Sequence, residues 1–135
     1  MKNKRSGAAT VELAIVLPIL MFLLVISMDY GRLFYFSQIV NNCARNAALW
    51  AGDPIAQTYS PYTTLQAAAN ADAYGLDATK MNVSQKTGSD SAGSWVEVTV
   101  TYPFNTITNF PGVPSKTTLT SVVHVKLAST TPKGN

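Results

Sequence analysis

The chain has 135 residues, enough for one domain of modest size. Its formal charge of +3 comes from Lys2, Lys4 and Arg5, because the other seven basic residues balance seven acidic ones. A nucleic-acid surface is therefore not expected, and the three charges suit a topology signal at one end of the chain. Cys43 is the only cysteine, which excludes an intramolecular disulfide and the usual thiolate metal sites, and we expect it to be packed rather than reactive.

An apolar segment, residues 8–28, follows this basic start and carries no charge from Leu13 to Met28. As a helix it would measure about 31 Å, enough for one bilayer crossing. The basic flank predicts a cytoplasmic N-terminus, with everything after Met28 outside. A cleaved secretory signal peptide is the competing interpretation, but the run is long for one and no A-x-A site follows it. Pro18 would kink or loosen the helix locally, which membrane helices tolerate.

One residue, Glu12, does not fit an apolar helix. A carboxylate there costs free energy unless it reaches the headgroups, is protonated or meets a cation. Its surroundings favour a specific role, because Ser6-Gly7 followed by Ala8-Ala9-Thr10-Val11-Glu12 resembles the processing site of type IV prepilins.

Further motifs extend this resemblance to residues 6–50, and the segment resembles the TadE-like family, the minor pilins or pseudopilins of the tight-adherence (Tad) fibre machinery. The motifs are Gly7-Ala8-Ala9-x-Val11-Glu12-Leu13-Ala14, Leu17-Pro18, Asp29 to Tyr35 and Asn42-Cys43-Ala44-Arg45. The chain departs from the family at Ala48-Leu49-Trp50, where members commonly carry a second arginine.

The resemblance implies that residues 1–7 are a leader removed by a prepilin peptidase that cuts between Gly7 and Ala8. It also implies that the Glu12 carboxylate pairs with the freed amine of Ala8 on a neighbouring subunit. The expected partners are that peptidase, other pilin or pseudopilin subunits, the pilus assembly platform and membrane lipid. The expected location is a single pass of the inner membrane with an extracytoplasmic C-terminal domain, either retained there or incorporated into a surface pilus.

Beyond the span, residues 29–51 predict an amphipathic continuation of the same helix. Apolar side chains recur every three or four residues, at Leu33, Phe36, Ile39, Val40, Cys43, Ala44, Ala47 and Trp50. Gly52-Asp53-Pro54 should end the helix. Asp29, Tyr30, Gly31 and Arg32 mark the membrane boundary, with Tyr30 and Tyr35 as interfacial anchors. An ordinary boundary accounts for these four residues, and a contact of Asp29 with another subunit is the alternative.

Residues 52–130 predict an α+β domain that begins with a loop over 55–62 and an alanine-rich helix over 63–74, closed by Gly75. Strands follow, interrupted by a loop over 88–94 and a turn at Pro111-Gly112; they are predicted at Met81–Gln85, Trp95–Tyr102 and Thr118–Leu127. Pro103 should end the second strand or confine its last residues to an edge. We expect a three-stranded antiparallel meander whose valine face packs on the outer half of the long helix. Residues 131–135 should form a frayed tail.

No chemistry is evident in the sequence. His124 is the only histidine and falls on the predicted solvent side of its strand, and no nucleophile motif surrounds the serines. The carboxylates lack metal-ligand spacing, so we expect no metal, no cofactor, no small-molecule substrate and no enzymatic activity. Two hypotheses remain open: a Tad-type minor pilin, and an unprocessed single-span protein that displays a binding or adhesin domain.

Overall fold

The computed structural model describes residues 5–108 and 114–128, with side chains from Gly7 onward. The predicted turn at Pro111-Gly112, the tail at 131–135 and most of the predicted leader lie outside these residues. The elements in chain order are α1 (Arg5–Gly52), α2 (Pro54–Tyr59), α3 (Leu65–Asn70), a 3₁₀ turn (Ala78–Lys80), β1 (Asn82–Asp90), β2 (Gly93–Asn105) and β3 (Lys116–Lys126). The predicted α+β class is confirmed.

The first helix, α1, is one element of 48 residues that includes Pro18. At 1.5 Å per residue it is about 72 Å long. It ends at Gly52, where the sequence placed the stop. The backbone N–H of Ala128, just after β3, donates to the Gly52 carbonyl at 2.8 Å, so the end of α1 is tied to the end of the sheet.

The sheet is an antiparallel meander in the order β1-β2-β3, as predicted. On β2, Val96, Val98 and Val100 are buried on one face. The β1 pairing ends where Asn82 meets Thr101, so the last residues of β2, including Pro103, pair with β3 alone. The missing N–H of proline therefore falls on an open edge, which confirms the second of the two outcomes expected for Pro103.

The core lies between this valine face and the C-terminal half of α1. The helix contributes mostly small buried side chains, which let the sheet and α3 approach closely; they are Ile39, Val40, Cys43, Ala44, Ala47, Ala48 and Ala51. Across one flank, the Asn46 side-chain amide donates to the Ala68 carbonyl at 3.0 Å and ties α3 to α1. The predicted amphipathic stripe is thus confirmed as the core-facing side of the helix.

The loop predicted over 55–62 is wrong in its first half, where α2 forms. Asp53 caps this helix, since its Oδ1 accepts from the backbone N–H groups of Ile55 and Ala56, each at 2.9 Å. Pro54 follows at the first helical position, which needs no N–H donor. The same Asp-Pro pair that ends one helix therefore begins the next.

The predicted alanine-rich helix is shorter than expected, because α3 ends at Asn70 rather than near Tyr74. Thr64 caps the start of α3, because its side-chain oxygen accepts a hydrogen bond from the Ala67 N–H at 3.1 Å. Beyond Asn70 the chain turns so that Ala73 and Leu76 pack against the core, and this packing overrides the helical preference of the alanines. Gly75 takes a positive φ in that later turn instead of closing α3.

The loop predicted over 88–94 is also wrong, because β1 continues to Asp90 and β2 starts at Gly93. Gly88 lies inside β1, opposite Trp95. A Cβ at Gly88 would clash with Cζ2 of the Trp95 ring, so the glycine makes room for the indole. A glycine that suggested a loop in the sequence thus serves close packing within a strand.

Candidate functional site

The N-terminal half of α1, residues 7–28, is almost entirely exposed in the part of the chain that the structure describes, and we call it the bare half. Every described side chain from Gly7 to Leu24 is exposed, including the large apolar residues Leu13, Ile15 and Leu20. The helix is long and apolar enough to cross a membrane, and its most apolar stretch is entirely unburied. An exposed apolar surface of this extent needs a lipid or protein cover.

Gly7, Ala8 and Glu12 are all exposed and lie in the bare half. A Cβ placed on Gly7 would meet no described atom within 4 Å, so packing within the described chain does not explain the glycine. Ala8 and Glu12 are four residues apart and share one face of the helix. No ion pair joins Glu12 to any other described residue.

Asp29 is the residue at which the bare half of the helix meets the folded half. Its side chain is 4% exposed, although the neighbouring Tyr30 is 52% exposed. Its Oδ1 accepts from the Ile107 N–H at 3.0 Å, and its Oδ2 accepts from the Thr108 N–H at 3.0 Å and from the Thr108 hydroxyl. The carboxylate therefore holds the β2–β3 connection against α1.

These bonds favour the ionised form of Asp29. The hydroxyl of Thr108 and then the backbone N–H of Ile107 lower the pKa of the Asp29 carboxyl below its ordinary value, against the opposing effect of burial. Arg32 adds a weaker attraction, with its Nη1 at 3.5 Å from Oδ1. The site is thus a buried carboxylate whose two oxygens are both hydrogen-bonded, and it lies at the base of the domain, the end nearest the bare half of α1.

Arg32 also contacts two aromatic rings at this base. Its guanidinium carbon lies 5.6 Å from the ring centre of Phe36 and 5.4 Å from that of Phe104, within cation–π range. The two rings pack edge to face at 5.6 Å. Among the four predicted boundary residues, the structure brings together Asp29 and Arg32, whereas Tyr30 and Gly31 are exposed.

The contact of Asp29 with the β2–β3 connection was missed by sequence reasoning. A signal was present, because Asp29, Leu33, Phe36 and Val40 follow the three- and four-residue spacing of the core-facing stripe. The distant partners, Ile107 and Thr108, were not inferable from helix periodicity. Glu12 lies 17 residues from Asp29, or about 26 Å along the helix, so the predicted site residues form two separate groups.

The remaining chemistry-bearing side chains form no further site in the described part of the chain. Burial, followed by the Asp72 carboxylate, raises the pKa of the Cys43 thiol to about 11, as expected for a packed cysteine. His124 is exposed, with its ring centre 4.7 Å from that of Trp95. No group of three or more His, Cys, Asp or Glu side chains among the described residues is arranged to hold a metal ion.

Comparison with known families supports the resemblance drawn from the motifs. The model of the family described as TadE-like protein matches residues 7–49. Comparison with curated proteins and with solved structures finds no match. The matched segment contains both groups of predicted site residues and covers nearly all of α1, but none of the sheet.

Proposed function

We propose that this chain, which is TadE-like over residues 7–49, is a minor pilin or pseudopilin that acts in the assembly of a Tad-type pilus. Its role is structural rather than enzymatic. In this role the bare half of α1 joins the membrane complex or the fibre, and the domain on its other half faces outward. The partners are a prepilin peptidase, other pilin-type subunits, the assembly platform and membrane lipid.

The main support for the proposal is the composition of the bare half of α1. Gly7 and Glu12 lie at prepilin spacing on the part of α1, residues 7–24, in which every apolar side chain is exposed, and no described residue pairs with Glu12. A helix that only anchored a domain would gain stability in lipid by losing this carboxylate. A helix that packs against other subunits can pair the carboxylate with a positive charge on a neighbour.

A pairing partner would arise from processing. Cleavage after Gly7 frees the α-amine of Ala8, which is protonated near neutral pH. When subunits pack side by side, that ammonium can meet the Glu12 carboxylate of a neighbour in an apolar surrounding. Either charge without the other would be buried uncompensated, which is strongly unfavourable, so pairing would favour one register between subunits.

Orientation follows from the basic residues that precede the helix. Lys2, Lys4 and Arg5 favour a cytoplasmic N-terminus, which leaves the sheet outside the cell membrane. A processing enzyme would then reach the Gly7-Ala8 bond at the cytoplasmic face. The other hypothesis, an unprocessed single-span protein displaying a binding domain, shares this orientation but needs neither the cut nor Glu12.

Replacing Glu12 distinguishes the two hypotheses, a pilin-type subunit and an unprocessed anchored protein. We expect Glu12→Gln, which keeps the shape and removes the charge, to insert in the membrane as well as the native chain while pilus production falls severely. Glu12→Asp, which keeps the charge, should retain part of the assembly. Membrane extraction followed by quantitation of sheared surface fibres measures both properties in the same cells. Fibre yields from Glu12→Gln equal to the native yield would contradict the proposal and favour the anchored protein.

A further inference from the structure

The base of the domain lies next to the end of the predicted membrane span. We define the foot as Tyr30 on α1 together with Thr106, Ile107 and Thr108 of the β2–β3 connection. The backbone N–H groups of Ile107 and Thr108 both bond to Asp29, so these two residues lie at the height of Asp29 on the helix. The foot is therefore fixed relative to the helix axis.

That height falls within the headgroup region of a bilayer. Asp29 follows Met28, the last residue of the predicted span, by one helical rise of about 1.5 Å. Helical side chains lean toward the N-terminus, which brings the carboxylate and its bonded loop nearer the span. The polar layer on each side of the hydrocarbon core is roughly 5–7 Å thick. A loop held at Asp29 cannot avoid this layer when residues 8–28 cross the membrane.

The surface of the foot suits this position. Its one nearby carboxylate, Asp29, is turned inward and satisfied by the loop and by Arg32. Its most exposed side chains are apolar or aromatic: Ile107 is 72% exposed, and Tyr30 and the adjacent Phe34 are also exposed, whereas Thr106, Thr108 and the nearby Arg32 are half-buried. Tyrosine is favoured at the membrane–water interface because one end of its side chain is apolar and the other polar.

We propose that the foot rests on the phospholipid bilayer in the unassembled subunit, with Ile107 seated at the boundary between headgroups and acyl chains. The inference rests on the membrane placement within the proposed function and adds a second, lipid-contacting surface outside the helix. The occupant is phospholipid, because the foot lies next to the end of a segment, residues 8–28, whose apolar side chains are almost all exposed. This contact would hold the domain in one orientation relative to the membrane until assembly.

Depth-dependent quenching tests the proposal on the full chain in phosphatidylcholine–phosphatidylglycerol vesicles. Single cysteines at Ile107, at Leu20 in mid-span and at Ala92 in the exposed β1–β2 turn would carry an environment-sensitive fluorophore. The native chain is the labelling control, since buried Cys43 should react slowly. Lipids brominated high on the acyl chain should quench the Ile107 probe about twofold, because interfacial side chains enter roughly 5–10 Å. The Ala92 probe should be unaffected.

The three probes separate the possible failures. Quenching at Leu20 together with an Ile107 probe as unaffected as that at Ala92 would overturn the foot proposal alone. Absence of quenching at Leu20 by lipids brominated deep in the acyl chain would instead contradict the membrane placement on which both proposals rest. Protection of the Ile107 probe that appears only at high protein density would assign the surface to a second copy of the chain, and would also overturn the lipid contact.

Discussion

Asp29 accepts hydrogen bonds from residues that lie 78 and 79 positions further along the chain, and it does so with one carboxylate. The sequence placed it correctly on α1 and near the end of the apolar run. Its burial was predictable only in part, because the helical spacing puts it on the core-facing stripe but does not identify Ile107 and Thr108 as the groups that cover it. Contacts of this kind depend on loop geometry that periodicity does not encode.

Asp29→Asn should release the β2–β3 connection. The amide is nearly the same size but uncharged, and its NH₂ group cannot accept the hydrogen bond that one of the two loop N–H groups donates to the carboxylate. We expect hydrogen exchange at Ile107 and Thr108 to become about tenfold faster or more, with Val98 in the sheet unchanged. Asp53→Asn, which alters the cap of α2 instead, should leave the loop protected. Unchanged loop exchange in Asp29→Asn would show that the carboxylate does not hold it.

Acid should release the same contact. Because the pKa of Asp29 is lowered from its ordinary value of 3.8, the stabilisation is present above that value and is lost as the pH falls through the lowered pKa. The amide NMR signals of Ile107 and Thr108 should stay constant from pH 7 down to about pH 4 and move only in stronger acid. A midpoint above 3.8 would mean that the loop does not stabilise the ionised form.

Among the elements, those with strong periodic patterns were predicted best. The long helix and the alternating valines of β2 each have an apolar face that repeats at the helical or strand period, and both formed as expected. The wrong predictions concern residues whose type is compatible with two different local structures. Asp53-Pro54 both ends α1 and begins α2, and Gly88 makes room for Trp95 rather than forming a loop. The sequence pattern alone does not distinguish these uses.

The junction of α1 with β2 depends on Phe104. Its side chain is 2% exposed and packs on Phe36, so truncation leaves a cavity between helix and sheet. Phe104→Ala should lower the free energy of unfolding of the domain by about 3–5 kcal/mol. The exposed Phe34 is the matched control, and its replacement by alanine should change stability by less than about 0.5 kcal/mol. Urea titration of the detergent-solubilised chain measures both; equal effects would contradict the packing.

As a whole, the molecule is a rod about 72 Å long that carries its domain on one half. Hydrogen bonds tie the domain to α1 at several heights, from Asp29 near mid-rod, through Asn46, to Gly52 at the end. The residues between them pack on the sheet, and those before Asp29 are almost entirely exposed. This division matches the proposed function, in which the bare half supplies subunit contacts and the folded half faces outward.

Processing at Gly7 tests the central claim most directly, by intact-mass measurement of the protein from cells with an active prepilin peptidase. The account predicts a native product that lacks residues 1–7 and begins at Ala8. Gly7→Leu should leave the chain uncut. Gly31→Leu, at another open glycine of the same helix, should be cut normally. A native product that retains its first seven residues under these conditions would contradict the assignment as a pilin-type subunit.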